Sequence, residues 1–278
     1  MLMANFLILI FLFNYFLIFL FLLILNEATI SKDFSNYLIK EYGKEIEKLI
    51  ARRDLGVDGS FGGWLEEEIK LNQTNKRPII FIHGLTNIAG NYEYVRRYFR
   101  QKGYSNSELY ATTYSFGVKN FLRDKMECKH IKQLRILMES VNKYTKSTID
   151  LVAFSMGSPM ARKAVLGGIC VDTGQYLGPP LTNIVHTFIG VAGANRDAEP
   201  LCKLLSWSEP CNEINGFSCN SAFLRDINSI VGYEAFSRIS VIRSVDDTIV
   251  GNVACDGQSV STINGQNNEI VVYNILII

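Results

Sequence analysis

The sequence lacks any strong imbalance of charge. It has 28 Lys and Arg against 27 Asp and Glu, for a formal net charge of +1, and no block of like charge occurs. Such a chain has no electrostatic reason to bind nucleic acid. It also lacks a repeat of fixed period and any low-complexity tract after the first 25 residues, which argues against repeat architectures. We expect no nucleic-acid partner and predict no protein partner.

Motifs for phosphate and zinc binding are missing as well. Glycines at positions 56, 59, 62 and 63 mark a loop, but no G-K-[ST] follows, so the pattern favours a plain loop over a phosphate site. The chain has no C-x-x-C pair and no histidine near the cluster of cysteines at 202–219, which argues against a metal site. Histidine is scarce altogether, at three residues.

One long hydrophobic run lies near the amino end, from Phe6 to Leu25. It is longer than the usual core of a signal peptide, about 7–15 residues, and matches the roughly 20 residues of a membrane span. No Lys or Arg precedes it. Two interpretations therefore stay open: a secretory signal peptide over residues 1–28, cleaved near Ala28, which we favour, and an uncleaved signal anchor.

All six cysteines follow this run. An even count behind an export signal predicts disulfides, although six cysteines allow 15 pairings and the sequence does not choose among them. We expect the cluster of Cys202, Cys211 and Cys219 to close a loop. One N-glycosylation sequon, Asn72-Gln73-Thr74, is also consistent with an exported protein. The other three cysteines are Cys128, Cys170 and Cys255.

The rest of the chain reads as strands that alternate with helices. Its 48% hydrophobic content is ample for a core, and nothing suggests a second folded domain within 29–278. Alternation of this kind predicts an α/β fold with a mostly parallel sheet flanked by helices. Strands are predicted at 78–82, 109–114, 149–154, 184–191 and 239–245, and helices over 34–52, 92–101, 126–141 and 158–166.

Ser155 lies on a turn between a predicted strand and a predicted helix. The strand ends in Ala153-Phe154, and Gly157 follows two residues after the serine. Small residues at 153 and 157 let strand and helix pack closely, which forces the serine onto a sharp turn and exposes its hydroxyl. The pattern is that of a nucleophile elbow and predicts Ser155 as a catalytic nucleophile.

A serine nucleophile needs two amide donors for the oxyanion and a carboxylate to orient its base. The N–H of Met156 follows the nucleophile, and Leu85 lies in the loop after the strand 78–82, which His83 would hold in place. For the acid, Asp246 and Asp247 follow the strand 239–245, where such sheets place their sites. We favour Asp247 over Asp246.

The base has no clean candidate. This arrangement runs serine, acid, histidine along the chain, but all three histidines precede Asp247. His83 is assigned to the donor loop, His130 lies in the helix before the serine strand, and His186 is near the beginning of the strand 184–191, at the wrong edge of a parallel sheet.

Several motifs in order resemble the class 2 lipases, in their secreted nematode branch. The resemblance runs from about Phe34 to about Glu269. The motifs that carry it are Ile80-Phe81-Ile82-His83-Gly84-Leu85-Thr86, Glu108–Tyr114, Phe154-Ser155-Met156-Gly157-Ser158-Pro159, Leu166–Gly174, Gly190–Asn195 and Arg225-Asp226-Ile227-Asn228.

The resemblance implies a secreted α/β-hydrolase that acts on ester bonds of acylglycerols at a lipid–water interface and needs no cofactor. It places the nucleophile at Ser155, the acid at Asp247 and the oxyanion donors at Leu85 and Met156. The family's histidine lies shortly before the carboxyl end, and nothing here matches it. Three explanations stay open: a gene product cut short, which we favour; a catalytically dead, lipid-binding product; and another base.

Overall fold

The computed structural model describes residues 29–64 and 76–273. The predicted signal peptide or anchor (residues 1–28) and the sequon at 72–74 lie outside the described residues, as do residues 274–278. Within the described ranges, every helix is too short or too polar to cross a membrane.

A seven-stranded sheet forms the centre of the fold, with strands in the order β1-β3-β2-β4-β5-β6-β7. Only β1 is antiparallel, to β3, and every other neighbouring pair is parallel. The predicted α/β fold with a mostly parallel sheet is thereby confirmed. The strands are β1 (Ser60–Phe61), β2 (Ile79–Ile82), β3 (Leu109–Thr112), β4 (Ile149–Phe154), β5 (Val185–Val191), β6 (Arg238–Ser244) and β7 (Asn268–Val272).

Seven α-helices in the described ranges accompany the sheet. They are α1 (Lys32–Tyr42), α2 (Lys44–Ala51), α3 (Glu93–Gln101), α4 (Cys128–Thr145), α5 (Gly157–Leu166), α6 (Glu199–Leu204) and α7 (Ala222–Asn228). The prediction of one helix over 34–52 was wrong. Gly43 adopts a φ of 89°, donates its N–H to Ile39 to end α1, and accepts from Glu47 to begin α2.

Two edge strands escaped the sequence prediction. β1 is two residues long and lies inside the stretch expected to be a plain loop. β7 pairs in register with β6, for example Ile242 with Ile270, and its residues are exposed or half-buried. Two residues, as in β1, are too few to show a hydrophobic pattern, and β7 is exposed or half-buried along its whole length, unlike the buried strands that apolar runs predict.

The strand β4 and the helix α5, which flank Ser155, are buried in the core. In β4, Ile149, Leu151 and Ala153 are fully buried, and all ten residues of α5 are buried. Two cations on α5 make internal ion pairs: Arg162 with Glu234 at 2.8 Å, and Lys163 with Asp226 at 2.7 Å. The helix behind the serine is therefore fixed by both packing and charge.

All six cysteines are paired, which confirms the expectation of disulfides. The bonds are Cys128–Cys170, Cys202–Cys211 and Cys219–Cys255. The expected cluster is only partly right: Cys202 and Cys211 close a short loop, whereas Cys219 reaches across to Cys255. Spacing alone could not reveal this, because the third bond depends on how the loops after β5 and β6 meet.

Candidate active site

Ser155 occupies the turn between β4 and α5. Its φ is 51°, in the left-handed region that a residue with a side chain rarely adopts. The turn is tied to the next strand, since the Ser155 N–H donates to Val191 O at 2.9 Å, and to its own helix, since Ser158 N–H donates to Ser155 O at 3.0 Å. A backbone held this way in a strained conformation is typical of a functional turn.

Two glycines let the chain pack against this turn. A Cβ on Gly157 would lie 2.4 Å from the carbonyl oxygen of His83, and one on Gly84 would lie 2.8 Å from Ser155 Cβ. Since no real side chain tolerates such contacts, both positions require glycine. The loop after β2 therefore lies directly against the serine turn, as the sequence prediction required.

This loop and the serine turn offer two backbone donors. Among the described residues, the N–H groups of Leu85 and Met156 donate to no other group. Leu85 lines the pocket that contains Ser155, and Met156 is the residue directly before α5. Thr86 has a φ of 70° and lines the same pocket, a second strained position that the sequence did not signal.

His83 holds the donor loop from inside the protein. Its ring is buried and stacks on Tyr114, with ring centroids 3.9 Å apart. The Tyr114 N–H donates to His83 Nε2 at 3.2 Å, so the proton lies on Nδ1, which donates to Gly84 O at 2.8 Å. Burial lowers the pKa of His83 to about 3, and the neutral ring is a structural part of the loop.

Asp247 follows β6 by three residues and is buried, whereas Asp246 is exposed. The Asp247 Oδ1 atom accepts from the N–H groups of Ile249 and Val250, both at 2.9 Å. Ile249 and Val250 line the same pocket as Ser155. One oxygen of the Asp247 carboxylate therefore orders a wall of the pocket that contains Ser155. The choice of Asp247 as the acid stays a prediction.

The pocket over Ser155 encloses about 110 Å³ and is mostly apolar. Several of its walls come from loops that could not be selected from the sequence, because their apolar residues follow no periodic pattern. Its lining includes Leu85, Thr86, Phe121, Phe154, Ala198, Leu201, Phe217, Ile249 and Val250. Such a pocket suits an acyl chain or a similar apolar group.

None of the three histidines lines this pocket. His83 is occupied in the donor loop, as described above. His130 is buried on α4, with its ring 5.6 Å from that of Tyr114. His186 lies at the beginning of β5, 3.7 Å from Asp150, at the sheet edge opposite Ser155.

The chain resembles known lipases in structure. Lipase B of Aspergillus fumigatus aligns at a TM-score of 0.51 with 16% identity, over 70% of this chain and 44% of that one. A monoacylglycerol lipase of Paleococcus ferrophilus aligns at a TM-score of 0.47 with 11% identity, over 77% of this chain and 87% of that one. The mature form of a Bacillus licheniformis lipase aligns at a TM-score of 0.42 with 13% identity, over 66% of this chain and 70% of that one.

The chain thus spans less than half the length of the Aspergillus lipase, and identities this low support the fold alone. A search of curated proteins found no match. The model of the family described as lipase (class 2), however, matches residues 76–276. Because this match covers well over half of the chain, the protein belongs to the class 2 lipases.

Proposed function

We propose that the protein is a secreted serine lipase or esterase that hydrolyses the carboxylic esters of acylglycerols. Its family supports lipid esters as substrates. The single observation that carries the proposal is the contact between the strained Ser155 turn and the loop of Gly84 and Leu85, at the base of an apolar pocket. A nucleophile, two amide donors and room for an acyl chain meet there.

In the proposed mechanism, the Ser155 Oγ attacks the acyl carbon and the carbonyl oxygen becomes an oxyanion. The N–H groups of Leu85 and Met156 stabilise that oxygen, and each such donor typically contributes about 3 kcal/mol. Collapse of the tetrahedral intermediate breaks the ester bond, releases the alcohol and leaves an acyl-enzyme. Water then attacks the acyl-enzyme and releases the fatty acid.

The base in this mechanism is a histidine that residues 1–278 do not include. It takes the proton of Ser155, passes it to the leaving alcohol, and is oriented by Asp247. The Asp247 Oδ1 atom accepts hydrogen bonds from two backbone N–H groups, and Oδ2 makes no hydrogen bond within the described chain. That second oxygen is the proposed acceptor for the imidazole.

Small-molecule rescue tests the proposal on the 278-residue chain. Loss of the histidine from a triad costs about a million-fold in turnover, so the chain should be nearly inactive on short-chain esters. Added imidazole should raise the rate in the parent chain but not in Ser155→Ala. Because imidazole itself hydrolyses activated esters, the serine variant supplies the background. Equal rates in both proteins would refute Ser155 as the nucleophile.

A second candidate function is lipid binding without catalysis, and the lack of a histidine in the pocket favours it. Sequencing the 3′ end of the transcript separates the two functions. A downstream exon that adds a histidine and restores Ser155-dependent hydrolysis supports the lipase. A confirmed stop after Ile278, with bound acyl ligand and no rescue by imidazole, supports the binding protein.

The proposed secretion is supported by three disulfides, since such bonds persist in oxidising compartments. A membrane-anchored hydrolase is the alternative, held by residues 6–25. Amino-terminal sequencing of protein recovered from the culture medium tests this point. A new amino terminus near residue 29 supports secretion, whereas retention of residues 6–25 in the membrane fraction supports the anchor.

A further inference from the structure

The pocket over Ser155 has one polar wall. Among the described residues that line it, two besides the serine have polar side chains, Thr86 and Asn87. Both follow Leu85 directly in the sequence, so the polar side chains lie on the loop that carries the proposed oxyanion donor. The other residues that line the pocket are apolar. A substrate in this pocket therefore meets hydrogen-bonding side chains on the donor loop and hydrocarbon elsewhere.

Thr86 adopts a backbone conformation that is rare for its residue type. Its φ is 70°, and a β-branched residue in the left-handed region is an outlier. Strain of this kind persists only where the surrounding structure imposes it, and it is concentrated at active sites and ligand-binding positions. Its occurrence at a polar residue of the pocket points to a role in binding the substrate.

The segment that contains Thr86 and Asn87 is fixed by its neighbours. The Ala89 N–H donates to Thr113 Oγ1 at 2.8 Å. Gly117 packs against the same segment, since a Cβ there would lie 3.1 Å from the carbonyl oxygen of Thr86. The backbone that carries the two polar side chains is therefore in place before a ligand binds, which lowers the entropy that binding costs.

The two side chains keep hydrogen-bonding groups free. The Thr86 hydroxyl donates to Asn87 Oδ1 at 3.3 Å. The Asn87 Nδ2 group has two N–H donors and makes no hydrogen bond within the part of the chain that the structure describes. The Thr86 oxygen also keeps lone pairs that can accept. A ligand hydroxyl, which both donates and accepts, matches this pair.

The pocket is better suited to a neutral polar group than to a charged one. None of the described residues that line it carries a charge. A phosphate or carboxylate on the substrate would lose its hydration there without an ion pair in return, which is costly. A hydroxyl is desolvated at a lower cost, and its hydrogen bonds to the polar wall offset that cost.

We propose that Thr86 and Asn87 bind a free hydroxyl on the alcohol part of the ester. The acyl chain lies along the apolar walls, and the glycerol lies against the donor loop beside Leu85. The preferred substrates are therefore partial glycerides, monoacylglycerols above all, because every hydroxyl of a triacylglycerol is esterified. This inference rests on the proposed function, since it concerns the ester that Ser155 attacks. It goes further by naming the class of alcohol and the residues that select it.

Imidazole-rescued hydrolysis of two soluble esters tests the proposal. Glycerol 1-monobutyrate and propyl butyrate share the acyl group and a three-carbon alcohol, and they differ in two hydroxyls. The parent chain should have the higher kcat/KM on the glycerol ester. Thr86→Val with Asn87→Leu should lower the ratio of the two kcat/KM values about tenfold, because each net hydrogen bond is worth about two- to tenfold. The ratio cancels any loss that is common to both esters, such as a shift of the donor loop.

Two further variants separate recognition from structure. Thr86→Ser keeps the hydroxyl and should retain most of the ratio, which a loss of shape alone would not explain. The matched control for the asparagine is Asn183→Leu, at an exposed residue in the turn before β5, on the sheet edge opposite Ser155. It should leave the ratio unchanged. Circular dichroism and the thermal midpoint verify that each variant is folded.

Ligand binding distinguishes failure of this inference from failure of the proposed function. The probe is 1-O-butylglycerol, an ether that ester hydrolysis cannot consume, titrated by NMR with butyl propyl ether as the hydroxyl-free control. The affinity ratio of the two ethers should fall about tenfold in the variant with both Thr86→Val and Asn87→Leu. Such a fall supports the hydroxyl site even if imidazole rescues nothing, a result that would overturn only Ser155 as the nucleophile.

Three results would overturn the inference and leave imidazole rescue of Ser155 intact. The first is an affinity ratio of the ethers that the double variant does not change. The second is a kcat/KM ratio of the two esters that stays the same in that variant. The third is a parent chain that prefers propyl butyrate to glycerol 1-monobutyrate.

Discussion

Gly84 lies directly against Ser155. A Cβ at position 84 would be 2.8 Å from Ser155 Cβ and 3.1 Å from the ring of Phe154. The loop that carries the proposed Leu85 donor therefore lies in close contact with the turn that carries the proposed nucleophile, here and where Gly157 meets the carbonyl oxygen of His83. Anything that separates them changes both the serine and its oxyanion donor together.

Gly84→Ala should consequently impair hydrolysis more than it impairs folding. Overpacking of this kind typically costs about 1–3 kcal/mol of stability, and its relief would move the donor loop away from the serine. Imidazole-rescued ester hydrolysis and the thermal midpoint measure the two effects. The matched control is Gly174→Ala, where a φ of 70° gives strain of about 1–2 kcal/mol but a Cβ meets nothing. Similar losses of hydrolysis in both variants would contradict this prediction.

Asp247→Asn should preserve the fold and remove most of the rescued activity. An amide oxygen at this position still accepts from the N–H groups of Ile249 and Val250, which keeps the loop in place. The negative charge that orients and stabilises an imidazolium is lost, and the equivalent change in a complete triad costs about 10⁴-fold. Chemical denaturation verifies the fold, and ester hydrolysis measures the effect.

The neighbouring Asp246→Asn is the control for this substitution. It removes the same charge one residue away, from an exposed position. We expect it to leave rescued hydrolysis within a few-fold of the parent. If Asp246→Asn proves the more damaging of the two, the assignment of Asp247 as the acid is wrong.

The places of the candidate site residues in the fold were predictable where they depend on local sequence. Ser155 stands out because a strand, a small-residue turn and a helix follow within a few residues, and Leu85 because it follows the end of a buried strand. Phe121, Leu201 and Phe217 gave no such signal, since each reaches the pocket only through the tertiary arrangement of a loop. Their role required the folded structure.

The fold, too, was predictable from local sequence only in part. The five strands predicted from apolar runs are present, since strands of a parallel sheet that is covered on both faces are rich in apolar residues. The break at Gly43 was missed because apolar residues keep their helical spacing on both sides of it. The pairing of Cys219 with Cys255 was likewise inaccessible, because 36 residues separate them along the chain.

His130 should make the protein less stable as the pH falls below about 6.5. Burial, with a smaller effect of Lys129, lowers the pKa of His130 to about 4 from 6.5. Between pH 6.5 and pH 4 the imidazole of His130 is protonated in the unfolded chain and neutral in the folded protein. The free energy of unfolding is therefore at its full value above pH 6.5 and declines toward pH 4. At pH 5 the loss is about 2 kcal/mol.

His130→Gln should therefore reduce the loss of stability between pH 7.5 and pH 5 by about 2 kcal/mol, while the share of His83, whose pKa is also lowered by burial, remains. Urea denaturation at pH 7.5 and pH 5 measures the difference between variant and parent. Ser140→Ala, on the same helix, removes a hydroxyl that bonds its own helix and no titrating group, so its curve should run parallel to that of the parent. A parallel curve for His130→Gln would show that His130 does not contribute to acid sensitivity.

The disulfides should differ in what they contribute to stability according to the length of chain they close. Cys219 and Cys255 are 36 residues apart, whereas Cys202 and Cys211 are 9 apart. On the loop-entropy relation, the longer bond restrains the unfolded chain by about 4 kcal/mol and the shorter by about 2.5 kcal/mol. Replacing both cysteines of a pair by serine and measuring urea denaturation tests this order. A larger loss for Cys202→Ser with Cys211→Ser would mean that native contacts of the loop 199–211 outweigh the entropy of the unfolded chain.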